Sequence, residues 1–428
     1  MTWRNRPAAQ RVALLGVVLC ALHTHGACAE PLVTEHGRAV RATAELEDPG
    51  PNAGAAVEGV AQEAVGEWVS VAHLPISVAR GSAVAVETPG GAWVVFSGGL
   101  TATGSTTDGV YAYDVAHDGW RPVGRLTTTR CNHASVALSD GRVLVIGGQS
   151  VQGLRFTGGL RSTEWIHAGS GQVRPGPRLP SGMRRPTVHV MPSGAVVAIG
   201  EGVAAVLEDP MAAGARWRMI TLRKPRFEHA SAVLDDGRIA VVGGQGRRSI
   251  EVVDLAAGRS QLRAVRLPEA LDDHAVLRLP DGRLWVLGGQ KTFAGRTTDE
   301  TWLIDLPART VEPGPRLGHP AGVADAGLWM SQDGASAVLA GGESDDHGSD
   351  QELAQTWRLT WPGGEPVVQV GPAMPRPHDD AAWAALPDGG AVVVGGVRTR
   401  RLLGRSLPTA VGYATRLRVG PVEAGEGE

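Results

Sequence analysis

The sequence predicts an all-β fold, a seven-bladed β-propeller whose N-terminal strand completes the last blade. Three observations predict it. A β-rich frame closed by glycine returns seven times after residue 65. Each copy carries a tight-turn dipeptide between two apolar runs. Outer strands are one short at the C-terminal end of the repeats and one in excess at the N-terminal end.

The frame is clearest from Arg130 to Gly148 and from Arg226 to Gly244, where Arg-x-x-His opens the copy and Gly-Gly ends it. It returns from His274 to Gly289 and more loosely elsewhere. The first closing glycines are Gly98, Gly147, Gly200, Gly243, Gly288, Gly341 and Gly395, at intervals of 49, 53, 43, 45, 53 and 54 residues. Self-similarity at that period, with glycine after a β-rich run, is the mark of propeller blades. The first strand of each copy ends in Asp140-Gly141, Asp236-Gly237, Asp281-Gly282, Asp333-Gly334 or Asp388-Gly389, with Ser193-Gly194 and Gly90-Gly91 as variants. Asp-Gly between apolar runs signals a hairpin, because glycine accepts the positive φ of a tight turn. The second strand is almost wholly apolar, as in Val143 to Ile146 or Val392 to Val394. Such a strand is buried on both faces, here between neighbouring blades.

Third strands are predicted over 110–115, 163–168, 203–208, 249–255, 301–306, 356–361 and 409–417. Fourth strands follow six of them, at Trp120 to Leu126, Val173 to Pro180, Trp217 to Leu222, Leu262 to Pro268, Val311 to Leu317 and Val367 to Pro375. The stretch Trp68 to Pro75 is one more fourth strand, standing ahead of the first blade. It is expected to complete the seventh blade, which pairs the chain ends and removes an exposed sheet edge.

These residues resemble the kelch family, and the resemblance covers everything after about residue 65. It rests on the Arg-x-x-His opening, the Asp-Gly turn, the Gly-Gly close and the later Trp, held in register seven times; Gly200-Glu201-Gly202 departs from it. The resemblance extends distantly to the galactose-oxidase-like propeller, whose copper site takes two tyrosines and two histidines, one tyrosine being crosslinked to cysteine. Here only Tyr111, Tyr113 and Tyr413 are present, and Cys131 has no matching tyrosine. The copper site is therefore not carried over.

The first thirty residues read as an export signal. Arg4, Arg6 and Arg11 precede an apolar run from Val12 to Leu22, which is too short to span a bilayer. Ala27-Cys28-Ala29 then offers a cleavage site. The expected division is a signal peptide at 1–29, a disordered Ala/Glu/Gly/Pro-rich tether at 30–65 and the propeller at 66–428. Export places the chain in the periplasm, at the cell surface or outside the cell. A lipoprotein acylated at Cys28 stands as the alternative. Cleavage leaves Cys131 as the one cysteine, so no intrachain disulfide is available. A monomer with no transmembrane helix is expected.

The formal net charge of −3 argues against a nucleic-acid partner, which calls for a basic face. Nearly all the basic residues are arginine, Lys224 and Lys291 being the exceptions, and this bias reflects genome composition.

Strand direction puts the loops entering each blade on the same face as the loops after each glycine pair. The entrances present Arg80, Arg130, Asn132, His133, Arg184, Arg185, Arg226, Glu228, His229, Asp272, Asp273, His274, His378, Asp379 and Asp380. Carboxylates and guanidiniums at a channel mouth bind polar ligands through charge-assisted hydrogen bonds. His133, His229 and His274 all stand fourteen residues before a closing glycine, a repeated position that fits a scaffold hydrogen bond. The stretch from Glu343 to Asp350 is acidic, and Asp345, Asp346 and Asp350 are its candidates for Ca²⁺, although the spacing matches no defined calcium loop. No other cofactor is expected. The leading expectation is a non-catalytic module that binds a glycan or a protein partner. A carbohydrate-active enzyme (epimerase, lyase or oxidase-like) is the alternative, with Glu228 paired to His229 or His274 for proton transfer.

Overall fold

Apolar runs punctuated by Asp-Gly turns form short antiparallel strands, and the one helical element among the described residues is a single 3₁₀ turn at Pro362–Gly364. The computed structural model describes residues 66–88, 90–152, 155–345, 350–402 and 405–419; the expected signal peptide and tether lie outside them. Seven four-stranded antiparallel sheets occur among the described residues, giving a propeller-like all-β architecture. Sheet 1 runs through Ser82–Thr88, Gly91–Ser97, Gly109–Asp114 and Gly119–Arg125 in that spatial order. Sheets 2 to 6 repeat this order, opening on Ala134–Ala137, Thr187–Val190, Ala230–Val233, Ala275–Arg278 and Gly327–Met330. Sheet 7 holds Ala382–Ala385, Ala391–Val394, Ala414–Arg418 and, as its fourth strand, Glu67–Val71. Trp68 lies opposite Leu417 in that last pairing.

The second strands are the most deeply buried, as their composition requires. Val143 to Ile146, Val196 to Ile199 and Val392 to Val394 are all at 1% exposure or less. The apolar core divides into seven clusters, each drawn from two sheets that follow one another. One holds Val143, Val145 and Ile166 of sheet 2 with Val95 and Val110 of sheet 1. The cluster of Val71, Val392 and Val394 with Val94 and Phe96 joins sheet 7 to sheet 1. Burial at about 25 cal/mol per Å² of apolar surface makes these clusters the main stabilising term.

The glycine pairs have a steric reason. A Cβ on Gly243 would sit 2.7 Å from His274 Cε1 of the next sheet, and one on Gly244 would sit 2.8 Å from His229 Cβ of its own. Both glycines also hold positive φ, 59° and 85°. The pair thus lets a buried histidine wedge between consecutive sheets.

The chain after each second strand varies most. Hairpins rise there at Val151–Gln152 with Arg155–Phe156, at Gln290–Lys291 with Arg296–Thr297, at Glu343–Asp345 with Asp350–Glu352, and at Val397–Leu402 with Arg405–Ala410. In sheet 3 only Glu201 and Gly202 join the second strand to the third. Glu201 takes φ 48°, so the broken glycine pair is a tight turn. One expectation shifts accordingly: the last third strand begins at Ala414, because residues 405–410 go into a hairpin. The acidic stretch after Gly342 is partly strand.

Candidate functional site

Two residues ahead of each opening strand stands a residue in left-handed backbone conformation: Arg80, Asn132, Arg185, Glu228, Asp273, Asp325 and Asp380, with φ between 42° and 58°. Side chains other than glycine rarely adopt this region, and clustered outliers of this kind mark functional or over-determined positions. The turn they make links successive sheets. The Asn132 amide donates to the Arg80 carbonyl at 2.8 Å, Arg185 to Asn132 at 2.8 Å, Asp273 to Glu228 at 3.2 Å, Asp325 to Asp273 at 2.9 Å, and Arg80 to Asp380 at 2.8 Å. All seven residues line one cavity of about 320 Å³, and Trp383, His133, His229 and His274 also border it.

The charges there are arranged unevenly. Sheets 1 to 3 contribute Arg80, Asn132 and Arg185, whereas sheets 4 to 7 contribute four carboxyl groups. Arg185 is the hub: Nη1 lies 2.9 Å from Asp273 Oδ1, 3.5 Å from Asp325 Oδ2 and 3.7 Å from Glu228 Oε1, and Nη2 lies 3.3 Å from Asp380 Oδ1. Arg80 donates through Nε to Asp380 Oδ2 at 2.7 Å. Burial alone would lower the pKa of Arg185, but Asp325, Asp273, Asp380 and Glu228 together raise it well above its ordinary value. Burial, with repulsion from Asp325, raises Asp273 well above the carboxylate range; burial also raises Glu228. Behind them, Asp272 takes a hydrogen bond from Thr292 Oγ1 at 2.5 Å and is pushed up to about 6 by burial. Asp379 accepts from the Asp380 amide at 2.7 Å, and burial beside Asp380 and Glu343 raises it well above its usual range.

Several residues expected at the rim lie inside the scaffold. Arg130 and Arg226 have fully buried side chains. Arg130 donates to the Gly147 and Ser162 carbonyls and to Glu164 Oε1 at 2.6 Å. Arg226 repeats the device with Gly243, Ser249 and Glu251. His133 bonds Ser97 Oγ at 3.0 Å, and His229 bonds Thr187 Oγ1 at 3.1 Å, each reaching the preceding sheet. His378 bridges the Gly395 carbonyl and Thr415 Oγ1, both at 3.0 Å, and does not line the cavity. Burial lowers His133 and His229 to about 3, and His274 and His378 to about 4. Burial thus disfavours the protonated ring of both His229 and His274. Arg184 turns to Glu201, with Nε 2.5 Å from Oε1.

Four residues escaped the sequence reading: Asp325, whose copy lacks the Arg-x-x-His opening; Trp383; and Glu164 and Glu251, the buried partners of Arg130 and Arg226. Asp325 stands two residues ahead of the opening strand Gly327–Met330, as its six counterparts do in their sheets. Among the metal candidates, Asp345 lies on a hairpin strand, Asp346 lies outside the described residues, and Asp350 begins the partner strand. No group of three or more potential ligands with metal-site geometry occurs among the described residues. Cys131 is fully buried, and burial pushes its thiol up to about 12.

No family model matches the chain. No curated protein matches its sequence. Many solved chains are similar to it, among them one titled "Structure of YjhT", at 14% identity and a TM-score of 0.49 over 81% of this chain and 96% of that one. No helix among the described residues is long and apolar enough to cross a membrane.

Proposed function

We propose that this chain is an exported, non-catalytic binding module that receives a glycan at the mouth of a closed seven-bladed propeller of the kelch type. Seven sheets, core clusters that run from each to the next and from the last to the first, and the backbone bonds among residues 80, 132, 185, 273, 325 and 380 support the closed ring. The apolar run at Val12 to Leu22 supports export, with Cys28 acylation as the alternative anchor.

One observation carries the glycan reading. Carboxylates and guanidiniums from six sheets converge on a single cavity that also exposes an indole, Trp383, which is half-buried. Sugar hydroxyls take charge-assisted hydrogen bonds from such groups, and a sugar's C–H face packs on an aromatic ring. The cavity is at the small end of ligand pockets, which run from roughly 300 to 1,000 Å³. A glycan array probed with the full chain tests the reading. Binding that is lost in Asp325→Asn, whose side chain is the most exposed of the four carboxyls at 28%, supports it; no glycan bound by a folded protein defeats it.

A second reading, a carbohydrate-active enzyme, is favoured by the raised carboxyls Glu228 and Asp273 beside a cationic Arg185, since protonated acids are available for general acid work. Incubating array hits with the protein and following their anomeric and ring protons by NMR separates the two. Turnover abolished by Glu228→Gln establishes the enzyme, and unchanged spectra leave the binding module.

A further inference from the structure

Five of the hairpins that join a first strand to a second turn on the same backbone. The glycine amide donates to the carbonyl three residues back, Gly141 to Leu138, Gly237 to Leu234, Gly282 to Leu279, Gly334 to Ser331 and Gly389 to Leu386, at 3.0 to 3.1 Å. Each glycine holds positive φ, between 66° and 89°. Each preceding aspartate accepts from the amide two residues on, at 2.9 to 3.1 Å. What differs is how the turn is held down. Asp140, Asp236 and Asp281 are clamped by the next arginine, whose Nε lies 2.5, 2.7 and 2.6 Å from Oδ2, and Asp388 by Arg416 Nη2 at 2.9 Å. These four turns also begin on a leucine, Leu138, Leu234, Leu279 or Leu386, packed in or against the apolar core. The sheet 6 turn has neither anchor. Ser331 stands in the leucine position and Ala335 in the arginine position. Asp333 is exposed and keeps the Ala335 amide at 2.9 Å and the Ser331 hydroxyl at 2.6 Å, whose one proton the Ser336 carbonyl also draws on at 2.8 Å. The other Asp-Gly steps among the described residues are held too. Asp108 pairs with Arg125 at 2.9 Å, and Asp118 accepts from the Ala72 amide at 2.7 Å and the Tyr113 hydroxyl at 2.9 Å.

We propose that Asp333 is the protein's site of isoaspartate formation, and that the arginine and leucine anchors protect the other four hairpin turns. In this modification the Gly334 nitrogen attacks Asp333 Cγ, and its proton leaves with a carboxyl oxygen as water while a cyclic imide closes. Water then opens the imide at the α-carbonyl, so the backbone runs through the aspartate side chain. The carboxyl must swing toward the nitrogen, and the nitrogen must leave the Ser331 carbonyl. A clamped carboxylate in an anchored turn resists both movements, and local opening is easiest where few buried contacts oppose it. An exposed ion pair supplies at most about fivefold of protection, and the missing leucine adds to its loss. Ageing the full chain at pH 6 tests the proposal, with isoaspartate measured at every Asp-Gly step by electron-transfer fragmentation, which separates the two isobaric linkages. Asp333 is expected to convert at least about fivefold faster than Asp140, Asp236 or Asp281. Ageing in urea, which removes the anchors, should bring the rates together. Ala335→Arg restores the clamp and should slow Asp333 several-fold. An Asp333 rate no higher than that of the clamped turns in the folded protein overturns the proposal. So does a spread among the sites that persists in urea, or an Ala335→Arg rate equal to wild type.

Discussion

Removing the Glu164 carboxylate should destabilise the protein by about 3–5 kcal/mol, the range for breaking one partner out of a buried ion pair. The magnitude follows from the surroundings. The Arg130 and Glu164 side chains are 0% and 1% exposed, and Glu164 accepts from the Thr127 amide at 2.5 Å, Thr127 Oγ1 at 2.8 Å, the Thr128 amide at 3.2 Å and Arg130 Nη2 at 2.6 Å. Glu164→Ala therefore strands a buried guanidinium together with the backbone donors that lead into sheet 2. Arg130→Met with Glu164→Leu removes both charges at similar volume, and should recover most of the loss. The comparison is Glu208→Ala, which breaks an exposed pair with Arg218 (40% and 61% exposed) and should cost at most about 1 kcal/mol. Urea unfolding monitored by Trp fluorescence, with reversibility checked by refolding, reads all three. A Glu164→Ala protein within about 1 kcal/mol of wild type would refute the view that the Arg-x-x-His arginine is a scaffold cation. So would a double variant as unstable as the single one.

Two further outcomes follow from the same packing. Gly243→Ala should cost more than about 2 kcal/mol, because its Cβ would meet His274 Cε1 at 2.7 Å and the Leu271 carbonyl at 2.8 Å; Gly141→Ala meets nothing within 4 Å and should cost only the left-handed strain of about 1 kcal/mol, both read as urea midpoints. His229 has a folded pKa of about 3, below the ~6.5 of a free histidine, so its contribution is fully present above pH 6.5 and is lost as pH falls toward 3. The stability gap between wild type and His229→Gln should therefore narrow by about 1.4 kcal/mol per pH unit from 6.5 downward; a gap constant between pH 7 and pH 4 would contradict the neutral ring.

Much of this architecture is legible in the sequence because its signals are local. Asp140-Gly141 dictates a turn, Val143 to Ile146 dictate a doubly buried strand, and the surplus strand at Trp68 found its partner at Leu417. The site was legible as a set of entrances and blurred within each. In Arg130, Cys131, Asn132 and His133, four consecutive polar or reactive residues look alike as text. The backbone sends Arg130 and His133 into the scaffold and places Asn132 at the cavity, and that sorting depends on a left-handed φ of 53° that no residue type announces. Arg130 and Arg226 were misplaced for a longer-range reason. Their buried partners, Glu164 and Glu251, sit on third strands at different sequence distances, so the pairing shows only once the strands are aligned. Asp325 was missed because Val323 and Ala324 stand ahead of it, where five of the other six copies carry a charged residue.

The strand pair that joins Glu67–Val71 to Ala414–Arg418 also sets how the molecule answers to force. Glu67 faces Arg418, so both chain ends leave the sheet from the same end of one antiparallel pair. Opposed tension on the two ends would load that pair as a zipper, opening its hydrogen bonds one rung at a time from Glu67 toward Val71. Resistance would then come mainly from extracting Trp68 and Leu417, at 6% and 1% exposure, from the apolar cluster they share with Trp329 and Val393.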